Sequence, residues 1–142
     1  MKVLVPVDGS PASLRAVKLA VDQAKAAAGA ELVILNVQNL ATLASAEGVG
    51  LMPPGWIEQE EEKAAAEVLQ QAVALCRDAG VPCVTRSERG AVAATIERVA
   101  RDQGAAQIIM GTRGLGGVRG LLLGSVATQL LHLVDIPVTL VK

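Results

Sequence analysis

The sequence predicts an α/β fold, a three-layer sandwich around a five-stranded parallel open sheet of order 3-2-1-4-5. Three observations carry this. Five short apolar runs alternate with four helical patterns, and such alternation implies parallel pairing through right-handed crossovers. The run Leu32-Val33-Ile34-Leu35 has no polar alternation, as a strand covered on both faces requires. At 142 residues the chain is long enough for one well-buried core, so a single domain over 1–142 is expected.

The elements follow in order. Lys2–Val7 is the first strand. Ser10 then caps a helix with Pro11 at its first position, and Leu14, Val17, Val21, Ala24 and Ala28 form its apolar stripe up to Gly29. Leu32–Leu35 is the second strand. The connection from Gln38 to Trp56, with Gly48, Gly50, Pro53 and Pro54, is long enough to be functional or to hold a short helical turn. A helix from Ile57 to Ala79 opens on Glu58, Glu60, Glu61 and Glu62, acids that compensate the helix dipole on a solvated face. Gly80 stops it. Val81–Ser87 is the third strand, and after Gly90 a helix turns Val92, Ile96 and Val99 inward. Ala106–Met110 is the fourth strand, Ser125–Leu133 the last helix, and Ile136–Val141 the fifth strand.

The segment with most chemistry is Gly111-Thr112-Arg113-Gly114-Leu115-Gly116-Gly117-Val118-Arg119-Gly120-Leu121-Leu122-Leu123-Gly124-Ser125. Glycines permit positive φ and a close approach of backbone N–H groups to a ligand. A Gly-Ser pair opening a helix adds unpaired N–H donors, a hydroxyl and the positive end of the dipole, all suited to phosphate. No Asp or Glu occurs from Gln103 to Val134. In a 3-2-1-4-5 sheet the ligand crevice lies at the carboxyl ends of strands one and four, where Asp8 and Gly111 stand. The loop is neither a Walker A sequence nor a GxGxxG fingerprint. It reads as a phosphate cradle of a nucleotide binder.

Composition narrows the alternatives. Trp56 is the only aromatic residue and the net charge is −1, which excludes a base-stacking or general phosphate-backbone surface, so no nucleic-acid partner is expected. Cys76 and Cys83 sit in no metal or redox spacing and read as two buried thiols of a reducing compartment. With no signal-peptide pattern and no apolar run of membrane length, a soluble cytoplasmic protein is expected. His132 is the lone histidine and reads as a surface or capping residue, so no Ser–His–Asp or Cys–His set can be assembled. Arg119 reads equally as a γ-phosphate contact or a solvated loop residue.

Gly111, Gly114, Gly124 and Ser125 fit the pattern G-x2-G-x9-G-[ST] without a gap. With Val5-Pro6-Val7-Asp8-Gly9-Ser10 and Ser13, Leu35-Asn36-Val37 and the closing Ile136–Val141, the chain resembles the nucleotide-binding branch of the universal stress protein family over its whole length. The resemblance implies a flavodoxin-like, or adenine nucleotide alpha hydrolase-like, domain that binds ATP with Mg or Mn and serves stress response or signalling. It implies that Gly111, Gly114, Gly124 and Ser125 hold the triphosphate, flanked by Met110, Arg113 and Val126, with Gly117 and Ala127 at the margins. Pro6 and Val37 would line the adenine slot, and Asp8 would meet the ribose or a metal-bound water. Ala106-Gln107 departs from the family's acidic-then-aliphatic pattern, away from the ligand end. The resemblance also implies a homodimer through the C-terminal strand 136–142, where Val138 and Leu140 share a face, and ligand-dependent binding of a protein partner. Beyond Asp8 the expected site holds no carboxylate and no lysine, so a binding protein is expected; the alternative is a slow ATPase or nucleotidyl-transfer enzyme. A dimeric adaptor without a ligand is disfavoured by the intact glycine pattern.

Overall fold

The structure is a computed structural model and describes residues 1–39, 49–114 and 123–142. Its strands are β1 (Lys2–Pro6), β2 (Glu31–Gln38), β3 (Cys83–Arg89), β4 (Gln107–Gly111) and β5 (Val138–Val141). The helices are α1 (Pro11–Ala26), α2 (Trp56–Asp78), α3 (Val92–Gln103) and α4 (Ser125–Leu133), and a 3-10 turn covers Val49–Leu51. All five strands are parallel in the order β3-β2-β1-β4-β5. The expected topology is the observed one.

The period-two geometry of a strand sorts the apolar runs into two cores. Val3, Val5, Leu32, Ile34 and Ile109 pack under α1 and α2, with Val17, Val21 and Cys76. Leu4, Val33, Leu35, Ile108 and Met110 pack under α3 and α4, with Ile96, Val99 and Leu130. A fully buried Leu or Ile contributes about 1.5–3 kcal/mol, so the central strands dominate the stability.

Several boundaries and faces differ from expectation. The α1 stripe is rotated: Ala12, Ser13, Ala16, Val17, Ala20 and Val21 are buried, Leu14 is half-buried and Ala28 exposed. Small residues there let the helix approach β4 closely. Glu61 is buried rather than on a solvated face, while Glu58, Glu60 and Glu62 are exposed as expected. β3 starts two residues later than Val81, because the Val81 N–H closes the turn onto the Cys76 carbonyl at 2.9 Å. Gln107 at the start of β4 donates from Nε2 to Gln23 Oε1 at 3.0 Å, tying the strand to α1.

Val138 and Leu140 do share a face, but it is the inner one: both pack on the α3/α4 core, while Val141 packs on the α1/α2 core. Both stay only half-buried there, as do all the residues of β5. Of the two cysteines Cys76 is buried and Cys83 half-buried. Among the described residues no helix is long and apolar enough to cross a membrane.

Candidate functional site

Parallel strands put every strand-to-helix turn at one end of the sheet, and β1 and β4 diverge there because their connections leave for opposite layers. A cavity of about 350 Å³ opens at that point, within the size range of small-ligand sites. Pro6, Asp8, Val37, Met110, Gly111, Arg113, Gly114, Gly124, Ser125, Val126 and Ala127 all line it. Gly117 and Arg119 lie outside the described residues. The lining also includes Thr112 of the glycine segment, Ser13 of the opening motif, and Val7, Ser10, Leu35, Val92 and Ile96, which the sequence assigns to a strand, a cap or inward helix faces rather than to a site. Val92 and Ile96 carried a usable signal: inward residues in the first turns of a helix that starts at the ligand end of the sheet.

The β1–α1 turn is a closed hydrogen-bonded unit. Asp8 Oδ1 accepts the Ser10 N–H at 2.9 Å across Gly9, which stands at φ 85°. Ser10 Oγ accepts the Ser13 N–H at 3.2 Å, and the Ser13 hydroxyl donates to the Ser10 carbonyl at 2.9 Å. With Pro11 lacking an N–H, the start of α1 is largely satisfied by its own residues.

The start of α4 is different. Gly124 is its N-cap and offers no side chain, so the Ser125, Val126 and Ala127 N–H groups lack a capping acceptor and lie at the cavity wall. Gly124 itself donates to the Thr112 carbonyl at 2.6 Å, and the Thr112 N–H donates to Val141 at 2.8 Å. These bonds anchor both ends of the glycine segment to the sheet.

The glycines of the pattern are required by close approach rather than by positive φ, since among the described residues the positive-φ glycines are Gly9, Gly29, Gly55, Gly80, Gly90 and Gly104. A Cβ on Gly111 would lie 2.9 Å from Ala12 Cβ and 3.1 Å from the backbone of Ala12 and Ser13. A Cβ on Gly114 would fall on Asp8 Oδ2. At Gly124 the nearest atom would be the Thr112 carbonyl oxygen at 3.3 Å. Gly111 thus serves packing of β4 on α1, Gly114 makes room for Asp8, and Gly124 keeps the mouth of α4 bare.

Electrostatically the lining holds, among the described residues, one cation, Arg113, and one carboxylate, Asp8. The opposite wall is aliphatic: Leu35, Val37, Val92, Ile96 and Met110. Among the described residues no group of three His, Cys, Asp or Glu could hold a metal ion. His132 is exposed in the last turn of α4, as a surface histidine should be.

The Universal stress protein family model matches residues 1–142. The chain is 33% identical over 146 residues to Universal stress protein YxiE of Bacillus subtilis, covering 99% of this chain and 98% of that one. In structure it is similar to the hypothetical protein MJ0577 (TM-score 0.80, 25% identity, 99% and 94% coverage). It is also similar to a universal stress protein solved in complex with cAMP (TM-score 0.70, 26% identity, 100% and 96% coverage). On sequence and fold alike, this chain belongs to the universal stress protein family.

Proposed function

We propose that the cavity binds an adenine nucleotide, ATP with Mg or Mn at its phosphates, and that the chain acts as a nucleotide-responsive homodimer in stress response or signalling. The observation that carries this reading is the uncapped start of α4 opening, beside Arg113, into a cavity whose far wall is aliphatic. Unpaired N–H groups at a helix N-terminus suit phosphate, and an aliphatic slot suits a purine face. The solved relative in complex with cAMP, at 26% identity, supports an adenine ligand. A cation would be held chiefly by the phosphates, with Asp8 the one carboxylate of the lining among the described residues. With no lysine or second carboxylate among the described lining residues, charge neutralisation in phosphoryl transfer is poorly provided for, which favours binding over turnover.

Gly124→Val tests the site. Its Cβ meets the Thr112 oxygen at 3.3 Å, a contact the fold can absorb, but its branches cover the α4 N–H groups. Calorimetric titration should show ATP affinity falling by about 100-fold or more, ~2.7 kcal/mol, with an unchanged circular dichroism spectrum. Asp8→Ala should weaken ATP more than inorganic phosphate, because its expected partners are hydroxyls or a hydrated cation. Wild-type affinity in Gly124→Val would place the nucleotide elsewhere.

The homodimer is proposed through β5, an edge of the sheet. The Pro137 and Val141 carbonyls accept from Ile108 and Thr112 of the β4 side, so the backbone groups of Val138 and Leu140 point outward. Val138→Pro therefore deletes one outward N–H and spares the ladder to β4. Sedimentation should find the wild type dimeric at tens of micromolar and Val138→Pro monomeric and folded; a monomeric wild type would refute the interface.

A further inference from the structure

Cys76 and Cys83 have no part in the cavity. Cys76 lies in the last turns of α2 and Cys83 opens β3. Between them the chain reverses tightly: Gly80, at φ 69°, donates to the Arg77 carbonyl at 3.0 Å, and Val81 donates to Cys76 at 2.9 Å. Cys83 is held in register opposite Leu32, whose N–H donates to Pro82 at 3.2 Å. The turn brings both side chains onto the α1/α2 core, Cys76 fully buried and Cys83 partly open to solvent, with the Cys83 side chain within hydrogen-bonding reach of Cys76.

We propose that this pair is a site of oxidative modification, an intrachain Cys76–Cys83 disulfide formed with a peroxide as oxidant. The accessible Cys83 sulfur attacks one peroxide oxygen. The O–O bond breaks, the other oxygen leaves as water with the thiol proton, and Cys83 becomes a sulfenic acid. The Cys76 sulfur then attacks the Cys83 sulfur, the S–O bond breaks, and hydroxide departs with the Cys76 proton as a second water. Two thiols lose two electrons and one peroxide becomes two waters.

The surroundings set the order of events. Burial above all pushes the Cys76 thiol up to about 12, and the charge and hydrogen bond of Cys83 push it further in the same direction. Cys76 is therefore inert while Cys83 is reduced. The pair sits at the amino end of β3, whereas the cavity lies at the carboxyl ends of the strands, so the inference stands apart from nucleotide binding.

The test uses the whole protein treated with hydrogen peroxide, alkylated in denaturant and digested with trypsin. Cleavage at Lys63, Arg77 and Arg86 puts the cysteines on separate peptides, Ala64–Arg77 and Asp78–Arg86. A disulfide joins them into one species, two hydrogens lighter than their sum and separated again by dithiothreitol. That species is expected as the main oxidised product from single chains. Cys76→Ser should leave Cys83 as a sulfenic acid captured by dimedone, and Cys83→Ser should leave Cys76 fully alkylatable. Two alkylatable thiols surviving peroxide, a linkage only between chains, or Cys83 sulfinic acid beside a free Cys76 would each overturn the proposal. The wild-type digest decides it without any substitution.

Discussion

Gly111→Val is expected to destabilise the fold by about 3 kcal/mol or more, at or above the usual overpacking range. The added Cβ would stand 2.9 Å from Ala12 Cβ and 3.1 Å from the Ala12 carbonyl carbon and the Ser13 nitrogen. Two of those three atoms are backbone, and Ser13 is locked in the Ser10 cap, so no side chain can swing away. Relief requires α1 to lift from β4, which uncovers the packing of Val17 and Val21. Urea unfolding should show a midpoint far below that of Gly124→Val, a substitution in the same glycine pattern. A Gly111→Val protein as stable as the wild type, yet unable to bind ATP, would return Gly111 to a purely ligand-facing role.

Arg89→Ala is expected to cost about 2–3 kcal/mol, at or just below the lower end of the range for breaking a buried pair because Arg89 is 37% exposed. Glu61 is 3% exposed, and neither carboxylate oxygen has a hydrogen-bond partner among the described residues. Its compensation is Arg89 Nε, 3.6 Å from Oε2, a guanidinium that also serves Glu62 at 3.6 Å. Removing that cation leaves a buried charge with nothing to offset its desolvation. Glu61→Met should be neutral or stabilising, since it replaces the charge with an apolar chain of similar volume. In that background Arg89→Ala should cost under about 1 kcal/mol, as a surface residue does. Equal costs in the two backgrounds, measured by urea unfolding at neutral pH, would show that the pair is not coupled.

Sheet order, helix number and the place of the cavity were legible because each rests on local periodicity plus one topological rule. Apolar runs without alternation mark central strands, and a 3-2-1-4-5 sheet can open a crevice only where its order reverses. Hence Asp8 and Gly111, 103 positions apart in sequence, were assigned to one place, and both line the cavity. The last helix was read with its observed bounds, Ser125–Leu133, because a Gly-Ser start and an apolar period define it locally.

What the sequence by itself determined, then, was the set of elements, their pairing and the end of the sheet that carries the site. Tertiary structure alone decided which side of each element is covered and which atoms meet. The α1 face rotated toward Ala12 because β4 approaches closely at Gly111. Glu61 went inside although its neighbours stayed in water, and Val138 and Leu140 turned inward toward α3 and α4. Cys76 and Cys83 came to one core only because a turn at Gly80 folds α2 back onto β3. Periodicity reports a repeat along one segment, whereas burial and contact depend on what another segment brings within a few ångströms, and that is a property of packing.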